Sequence, residues 1–516
     1  MMTINKNIQS EILMTTMEEI VPQDSLFRKI DKYIDFTFIY DEVKDYYCLD
    51  NGKYSIDPVV LFKLVFIQAI DGIKSMRKTC EKIKVDAEYR WFLGIPFGHD
   101  TPHFSTFSKN YERRFKDSDV FEKIFINIVN QAIKYKLVDG KILYTDSTHK
   151  KANANKNKYD DEIKEIAKKR KEWLEEEINT ERKKYSKKEF VYKDETEKKH
   201  IKRSKTDPES GYYHRDNKEK GFMYLDHRTV DHKANIIVDA HVTEGNVHDS
   251  GPYNERLDYI EKTYNFKVEK VALDSGYDTL DIKKNLLDKG IFGVIGYRRY
   301  GTKESRQEKT KYYYDKELDI YVEKATGEVL EYKGKLDRLG YKTYTNEQKD
   351  KVIRRHICEE INEQFRDNRL SEEGKELYKF RKEKVERSFA DSKQNHGYRY
   401  AMYRGLRKNQ NYTWLICAAQ NMKNISIKID NNKYKYENNI TKSTILLKIN
   451  QIIKIIIKFS AIRKPQLKNN WGLSTIWIYY TSRSIINFAL WICFHNSTAL
   501  TGLGGSYHRF FILIVD

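Results

Sequence analysis

Apolar positions follow two rhythms along this chain, and the change between them divides it. To about residue 135 they recur at helical spacing. SIDPVVLFKLVFIQAI sets Asp57 at an N-cap, Pro58 at the first helical position and an apolar run to Ile70. DGIKS breaks that helix. SMRKTCEKI starts another, capped by Ser75, with Arg77 and Lys78 exposed; HFSTFSKNYERRF starts a third, capped by Ser105, with Arg113 and Arg114 late in it. Helix, Gly-containing turn, helix and basic helix suit a helix-turn-helix-like DNA-binding unit, and equally any small helical domain.

From about 140 the rhythm changes to that of strands. KILYTDST reads as a short strand ending in Asp146, and GFMYLDHRTV, NIIVDAHVT and KVEKVALDSG follow. A helix over DTLDIKKNLLDKG and a strand over IFGVIGYRR complete an alternation that predicts a mixed α/β sheet. Between the first two strands, 158–206 is almost continuously charged and predicts a projecting helical hairpin or a mobile insertion. KYYYDKELDIYVEKATGEVLEYKGK predicts two or three antiparallel strands inside a β-rich insertion at about 300–365, and helices return from about 370 to 427.

One of those late helices carries KVERSFADSKQ. Val385 and Phe389, four apart, make an apolar stripe, and Glu386, Ala390 and Lys393 fall on the neighbouring face. Read alone, that face is a solvated Glu…Lys surface. After 427 the chain turns to Ile, Asn and Lys, an accessory tail over 428–516. Lys448, Lys454 and Lys458 interrupt its first apolar run, and the second, IINFALWICF, is ten residues long. Neither reaches the roughly 18–20 apolar residues of a spanning helix, so no membrane association is expected.

Composition adds direction. The 516 residues hold 38 Tyr and 24 Phe but 7 Pro, as folded proteins do, and the length predicts several domains. The net charge of +19 describes a field that draws polyanions, nucleic acid foremost, although a Lys- and Asn-rich genome inflates the same number. Five scattered cysteines with no CxxC pair argue against a disulfide framework and a zinc ribbon. The N-terminus lacks the basic-then-apolar pattern of a secretory signal, so a cytoplasmic, reduced protein is expected.

Three acids stand out by context: Asp146 and Asp274, each ending a predicted strand, and Glu386 on the late helix. Carboxylates at the ends of adjacent strands point from a rigid scaffold into a crevice, and a third from a covering helix completes an oxygen cage suited to Mg²⁺. Singly each has a plainer reading, Asp146 as an Asx-turn or cap and Asp274 as a turn residue before Gly276. Together, on a basic chain, they favour metal-dependent phosphodiester chemistry, in which two ions roughly 3.5–4 Å apart serve the attacking and leaving oxygens. His248 and Asp249, with His241 and His232 upstream, offer a looser His/Asp metal site, and Tyr277 and Trp91 could stack on bases; histidines at such spacing more often cap loops, and such aromatics are more often core.

TDST, HVTEGNVHDS, LDSGYDT and RKEKVERSFADSKQNHGYRYAMYRGL, in that order, resemble the successive blocks of bacterial insertion-sequence DDE transposases, most of all the group numbered 1182 among the insertion-sequence families. DPVVLFKLVFIQ, AEYRWFLGI and HFSTFSKNYERRF fit the same group, so the resemblance runs from about 20 to 427. It implies a ribonuclease H-like mixed sheet with flanking helices over 136–427, preceded by an all-α DNA-binding domain over 1–135. It also implies an acidic triad of Asp146, Asp274 and Glu386, and a related Tyr-Arg-Glu-Lys signature mapping Glu386 and Lys393. Two departures stand in the sequence. Tyr378 lies one place too early for that signature, with Lys382 at the Arg position beside Arg381, and Cys358 stands alone where many members carry a cysteine cluster.

The roles implied are two Mg²⁺ ions, replaceable by Mn²⁺, on Asp146, Asp274 and Glu386. Lys393, Arg381 and Lys382 would lie at phosphates beside the scissile bond, Lys150 and Lys151 along the strand backbone, and Arg77, Arg113 and Arg114 on DNA. The partners implied are double-stranded DNA, both terminal inverted repeats and target, and a second copy in a homodimer assembled on it. The reaction implied is cleavage that frees a 3′-OH and then strand transfer. A stand-alone metal-dependent nuclease and a DNA-binding remnant without activity are the alternatives.

Overall fold

A computed structural model describes residues 14–48, 51–52, 54–167, 170–215, 219–298 and 310–430. The chain divides into units 1–436 and 437–516; the tail expected from 428 lies outside the described residues except for its first three, which end a helix.

The N-terminal region is helical: α1 (Met17–Ile20), α2 (Leu26–Tyr33), α3 (Phe38–Val43), α4 (Pro58–Ile70), α5 (Met76–Val85), α6 (Ala87–Leu93), α7 (Ser105–Asn110) and α8 (Val120–Lys134). Asp57 caps α4 as expected, its carboxylate accepting from the Val59 and Val60 amides. Ser75 stands at the N-cap of α5 without a side-chain bond, and α7 begins at Ser105 with Phe104 as its cap. Nine of the thirteen residues of α4 are buried, so it is a core helix rather than a surface one.

A six-stranded sheet follows. Its strands are β1 (Ile142–Lys151), β4 (Gly211–Tyr213), β5 (Gly221–Asp231), β6 (Ile237–Glu244), β7 (Lys270–Leu273) and β8 (Phe292–Ile295). Along it β5 pairs antiparallel with β1 on one side and with β4 and β6 on the other, while β7 is parallel to both β1 and β8. The order β6-β5-β1-β7-β8 leaves β1 in the middle. Two crossover helices, α10 (Tyr253–Tyr264) and α11 (Leu280–Asp288), precede β7 and β8.

The charged stretch 158–206 is not a helical hairpin. It forms a two-stranded antiparallel ribbon, β2 (Tyr159–Ala167) with β3 (Thr196–Ser204), around one helix, α9 (Glu172–Lys184). Cross-strand pairs Glu165–Lys198, Glu162–Arg203 and Asp160–Lys205 explain why so polar a stretch adopts strands: opposite charges meet between β2 and its neighbour. The β-rich insertion is a five-stranded antiparallel sheet of β9 (Tyr312–Asp315), β10 (Ile320–Glu323), β11 (Val329–Leu336), β12 (Tyr341–Thr345) and β13 (Val352–His356). Strict alternation in VLEYKGKL turns Leu330, Tyr332 and Leu336 inward, and α9 lays Ile178 into the same small core. The two insertions, expected as separate, therefore build one packed unit.

The chain closes with α12 (Glu359–Leu370), α13 (Glu372–Lys379), α14 (Arg387–Asn395) and the 25-residue α15 (Leu406–Asp430). α15 packs on α2, α4 and α8 as well as on β6, and one hydrophobic core runs through all of them. The change of rhythm near 135 is thus a change of secondary structure, not a break in the core. α15 also completes the exposed edge of β6. Asn421 accepts from the Ile237 amide and donates to the Ile237 carbonyl, both at 2.8 Å. Gln410 accepts from the Val242 amide and donates to the Ala240 carbonyl. These amides stand where a neighbouring strand would, which hides an edge otherwise open to pairing. No helix among the described residues is long and apolar enough to cross a membrane.

Candidate active site

Alternation on β1 turns Tyr144, Asp146, Thr148 and Lys150 to one face of the sheet. Asp146 lies inside the strand rather than at its end, because β1 continues to Lys151. Asp274 directly follows β7, and the register Thr145↔Leu273 brings it beside Asp146. Glu386 comes down from the covering helix, as the last residue of a π-helical turn, Lys382–Glu386, between α13 and α14. Val385 and Phe389 are buried and fix that helix on the sheet, as their spacing predicted.

The three carboxylates meet at Arg381. Its guanidinium donates to Asp146 Oδ2 at 2.5 Å and lies 3.6 Å from Asp274 Oδ1 and 3.8 Å from Glu386 Oε1. The guanidinium is almost wholly buried, while Asp274 and Glu386 stay nearly half exposed. Burial pushes the Asp146 carboxyl up to about 6; Arg381 and the Ser147 amide pull it down, and Asp274 and Asp249 push it further up. Three carboxylates around one guanidinium leave an excess of negative charge.

The π turn explains the misfit of the Tyr-Arg-Glu-Lys pattern. A π-helical turn carries one residue more than an α-helical one. Arg381, one place early in sequence, is therefore rotated onto the carboxylates, and Lys382 is exposed. Tyr378 follows Arg381, its ring 5.7 Å from the guanidinium. Gly296 makes room for it: a Cβ there would come within 2.6 Å of the Tyr378 hydroxyl. Lys393 makes no ion pair with Glu386; it donates to Thr148 Oγ1 at 2.5 Å and lines a cavity of about 520 Å³. Burial lowers the Lys393 ammonium below its ordinary range.

Other expected residues lie elsewhere. Lys150 cannot follow a DNA strand: it is fully buried, with its ammonium 3.3 Å from the Tyr398 hydroxyl and 3.4 Å from Thr413 Oγ1. Alternation puts it under α15, and burial brings its ammonium down to about 8. Lys151, the next residue, is partly exposed and pairs with Glu219. Arg77 stacks on Phe104 beside a separate cavity of about 550 Å³. Arg114 stacks on Tyr47 and Arg113 is exposed; among the described residues none of the three lines the cavities around the triad. Tyr277 is core and Trp91 is held by Arg28 and Glu18, which leaves neither as a free stacking surface.

The His/Asp alternative is dispersed. His232 meets the Tyr144 hydroxyl, His248 meets Ser250, and Asp249 accepts from Ser147 Oγ at 2.6 Å. Among the described residues no three His, Cys, Asp or Glu side chains are grouped to hold an ion as they stand; within the triad, Arg381 takes the space between the carboxylates. The donors still suit Mg²⁺ or Mn²⁺: they are hard oxygens in excess negative charge, and burial raises the Asp146 carboxyl, so a cation there would favour its ionised form.

Sequence reasoning missed a buried network beside the site. Arg228, opposite Asp146 in the register, pairs at 2.7 Å with Asp226, and both are fully buried. The same guanidinium donates to Ser388 Oγ and Ser392 Oγ, each at 2.9 Å, and so ties α14 to β5. The signal was present: opposite charges two apart on one face of the otherwise apolar GFMYLDHRTV.

Residues 15–113 match the model of a transposase domain (DUF772), and residues 342–426 match that of a transposase DDE domain. Both matches support a DNA transposase of the DDE kind. No curated protein matches the chain. Among solved structures, a piggyBac transposase synaptic complex with hairpin DNA aligns at 10% identity and a TM-score of 0.35, over 87% of this chain and 86% of its own. A Mos1 transposase paired-end complex with the left transposon end aligns at 11% identity and a TM-score of 0.15, over 51% of this chain and 74% of its own.

Proposed function

We propose that the chain is a DDE transposase that cuts DNA at the ends of an insertion sequence, of the group numbered 1182, and joins the freed 3′-OH to target DNA. The observation that carries the reading is the convergence of Asp146, Asp274 and Glu386, from two adjacent strands and a covering helix, on one guanidinium. The strand order β6-β5-β1-β7-β8, with β5 antiparallel and β7 and β8 parallel to β1, supports a ribonuclease H-like catalytic fold.

Asp146, Asp274 and Glu386 would hold two Mg²⁺ ions, or Mn²⁺ in their place. When bound, such ions activate an attacking oxygen and stabilise a leaving one. Arg381 and Lys393 supply the fixed cations. Leaving the carboxylates for a phosphate oxygen, Arg381 would neutralise charge beside the reacting bond in a site partly shielded from water. Lys393, held by Thr148, orients a second phosphate. Asp146 must be ionised to serve. With its carboxyl near 6, that form accumulates as pH rises through 6, so activity should climb from pH 5 to 7.

The test is a strand-transfer assay on DNA carrying the inverted repeats that flank the gene, with Mg²⁺ and a supercoiled target. Cleaved ends with a free 3′-OH and joined product are expected. Cleavage without joining would point to a nuclease instead, and binding without cleavage in either Mg²⁺ or Mn²⁺ to an inactive remnant. Sedimentation of the protein–DNA complex should show two copies.

A further inference from the structure

The β2–β3 ribbon lies outside both family matches, which cover 15–113 and 342–426. It nevertheless borders the candidate site. A groove of about 990 Å³ is lined by Asp146 and Asp274 from the candidate site and by Lys199, His200 and Lys202 of β3. It continues into the cavity of about 520 Å³ that holds Lys151, Lys393 and Arg399, since Ser147, His149 and Tyr213 line both. The His149 and Tyr213 rings, 3.8 Å apart, stand where the two meet.

The charges on β3 are not equivalent. Lys198 and Arg203 are neutralised by Glu165 and Glu162 of β2. Among the described residues, Lys199 and Lys202 form no ion pair, and these are the two that line the groove. Lys202 is held in place by the Tyr159 hydroxyl at 3.0 Å, its ammonium 4.4 Å from that ring. Glu165 and Glu162 of β2 therefore neutralise Lys198 and Arg203, which do not line the groove (the outer pair), and leave Lys199 and Lys202, which do (the inner pair), without a counter-ion among the described residues.

We propose that the ribbon is a phosphate clamp: Lys199 and Lys202 grip the sugar–phosphate backbone of duplex DNA laid across the carboxylates. This rests on the reading of the site as acting on DNA. A polyanion laid over a cluster of acids needs cations close by, and the ribbon brings Lys199 and Lys202 into the same groove. DNA is favoured over a compact anion because the two cavities share lining residues and together gather several cations, Lys199 and Lys202 in one and Lys393 and Arg399 in the other.

The experiment compares two double variants of the full chain, each removing two charges from the same ribbon: Lys199→Ala with Lys202→Ala, and Lys198→Ala with Arg203→Ala. Binding of a fluorescent duplex is titrated between 50 and 300 mM KCl with Ca²⁺ present. The inner pair is expected to weaken binding about 10–30-fold and to reduce the salt slope by about 2, the loss of two phosphate contacts. The outer pair should change the slope by less than about 0.5. Equal losses from both pairs, or none from either, would overturn the clamp, as would tighter binding to duplex RNA of the same length. The readout needs no cleavage. If the inner pair lowers the slope as expected but the wild type never cuts, the enzyme reading fails and the clamp stands; if the inner variant cuts and joins with an unchanged slope, the clamp fails and the enzyme reading stands.

Discussion

One face of β1 carries two clusters of charge four residues apart, and they have opposite fates. At Asp146 the cover is the π turn, which leaves Asp274 and Glu386 nearly half exposed around Arg381. At Lys150 the cover is α15, and Lys150, Asp226 and Arg228 are shut off from water altogether. Both set an arginine against an aspartate. The lid decides whether a charge is offered to a partner or spent holding elements together. An open cluster with excess negative charge can take cations, whereas a closed one must neutralise itself, as Arg228 does with Asp226 and the hydroxyls of α14.

The largest effect should come from the open cluster. Asp274→Ala removes one of three converging carboxylates, and Arg381 keeps its closer partner Asp146. Cleavage of an end-bearing duplex should fall by about 10⁴-fold or more, with duplex affinity within about threefold of wild type, since Asp274 contributes no cation to a phosphate. Residual cleavage within about tenfold of wild type would mean that the three acids do not act as a unit.

The closed cluster should fail through stability instead. Arg228→Met leaves the Asp226 carboxylate buried without its partner, at a cost of about 3–5 kcal/mol. Adding Asp226→Leu in the same chain removes the orphaned charge and should restore most of that loss, read by urea denaturation. A single variant as stable as wild type would show that water reaches the pair.

This contrast also marks how much was legible in the sequence. Asp146, Asp274 and Glu386 stood out as two acids at predicted strand ends and one on a late helix, but their grouping came from the family resemblance, because no local pattern shows that β1 and β7 are neighbours. The strands around β1, the capped α4 and the β-rich insertion follow from local rules. Lys150 was misjudged because KANANKNK after it suggests a solvated loop, whereas β1 runs on to Lys151 and α15, some 250 residues later, covers it. The ribbon was misjudged because charge runs usually mark solvated helices, and the cross-strand ion pairs that support β2 and β3 depend on a register no local pattern shows. The fit of Arg381 was hidden by a single extra residue, which only the π turn reconciles.

That register can be tested against its neighbour. Arg381→Ala should slow cleavage about 100-fold, the order expected for losing one fixed donor at a reacting group. Lys382→Ala should stay within about twofold of wild type, because Lys382 is exposed and pairs with none of the three carboxylates. Arg381→Ala should also raise affinity for Mn²⁺, measured by calorimetry without DNA, because the guanidinium no longer competes for the carboxylates. The reverse ranking of the two variants would put Lys382, not Arg381, over the site.

The smallest effect separates the two clusters most sharply, because Lys150 was expected on DNA and is found in the closed one. Its folded-state ammonium is near 8, against about 10.5 when exposed, so the fold disfavours its charged form. The penalty is full at neutral pH, where both states are protonated, and fades as pH rises from 8 through 10.5 and the unfolded state loses its proton too. Lys150→Met should therefore stabilise the protein at pH 7, by about 2 kcal/mol if Met fills the space. Tyr398 and Thr413 keep their own hydrogen bond of 2.6 Å. The advantage should shrink steadily towards pH 10.5, and the salt dependence of duplex binding should not change. A lower salt slope in Lys150→Met would mean that the lid over this end of β1 opens to DNA, and the two clusters would then be one surface.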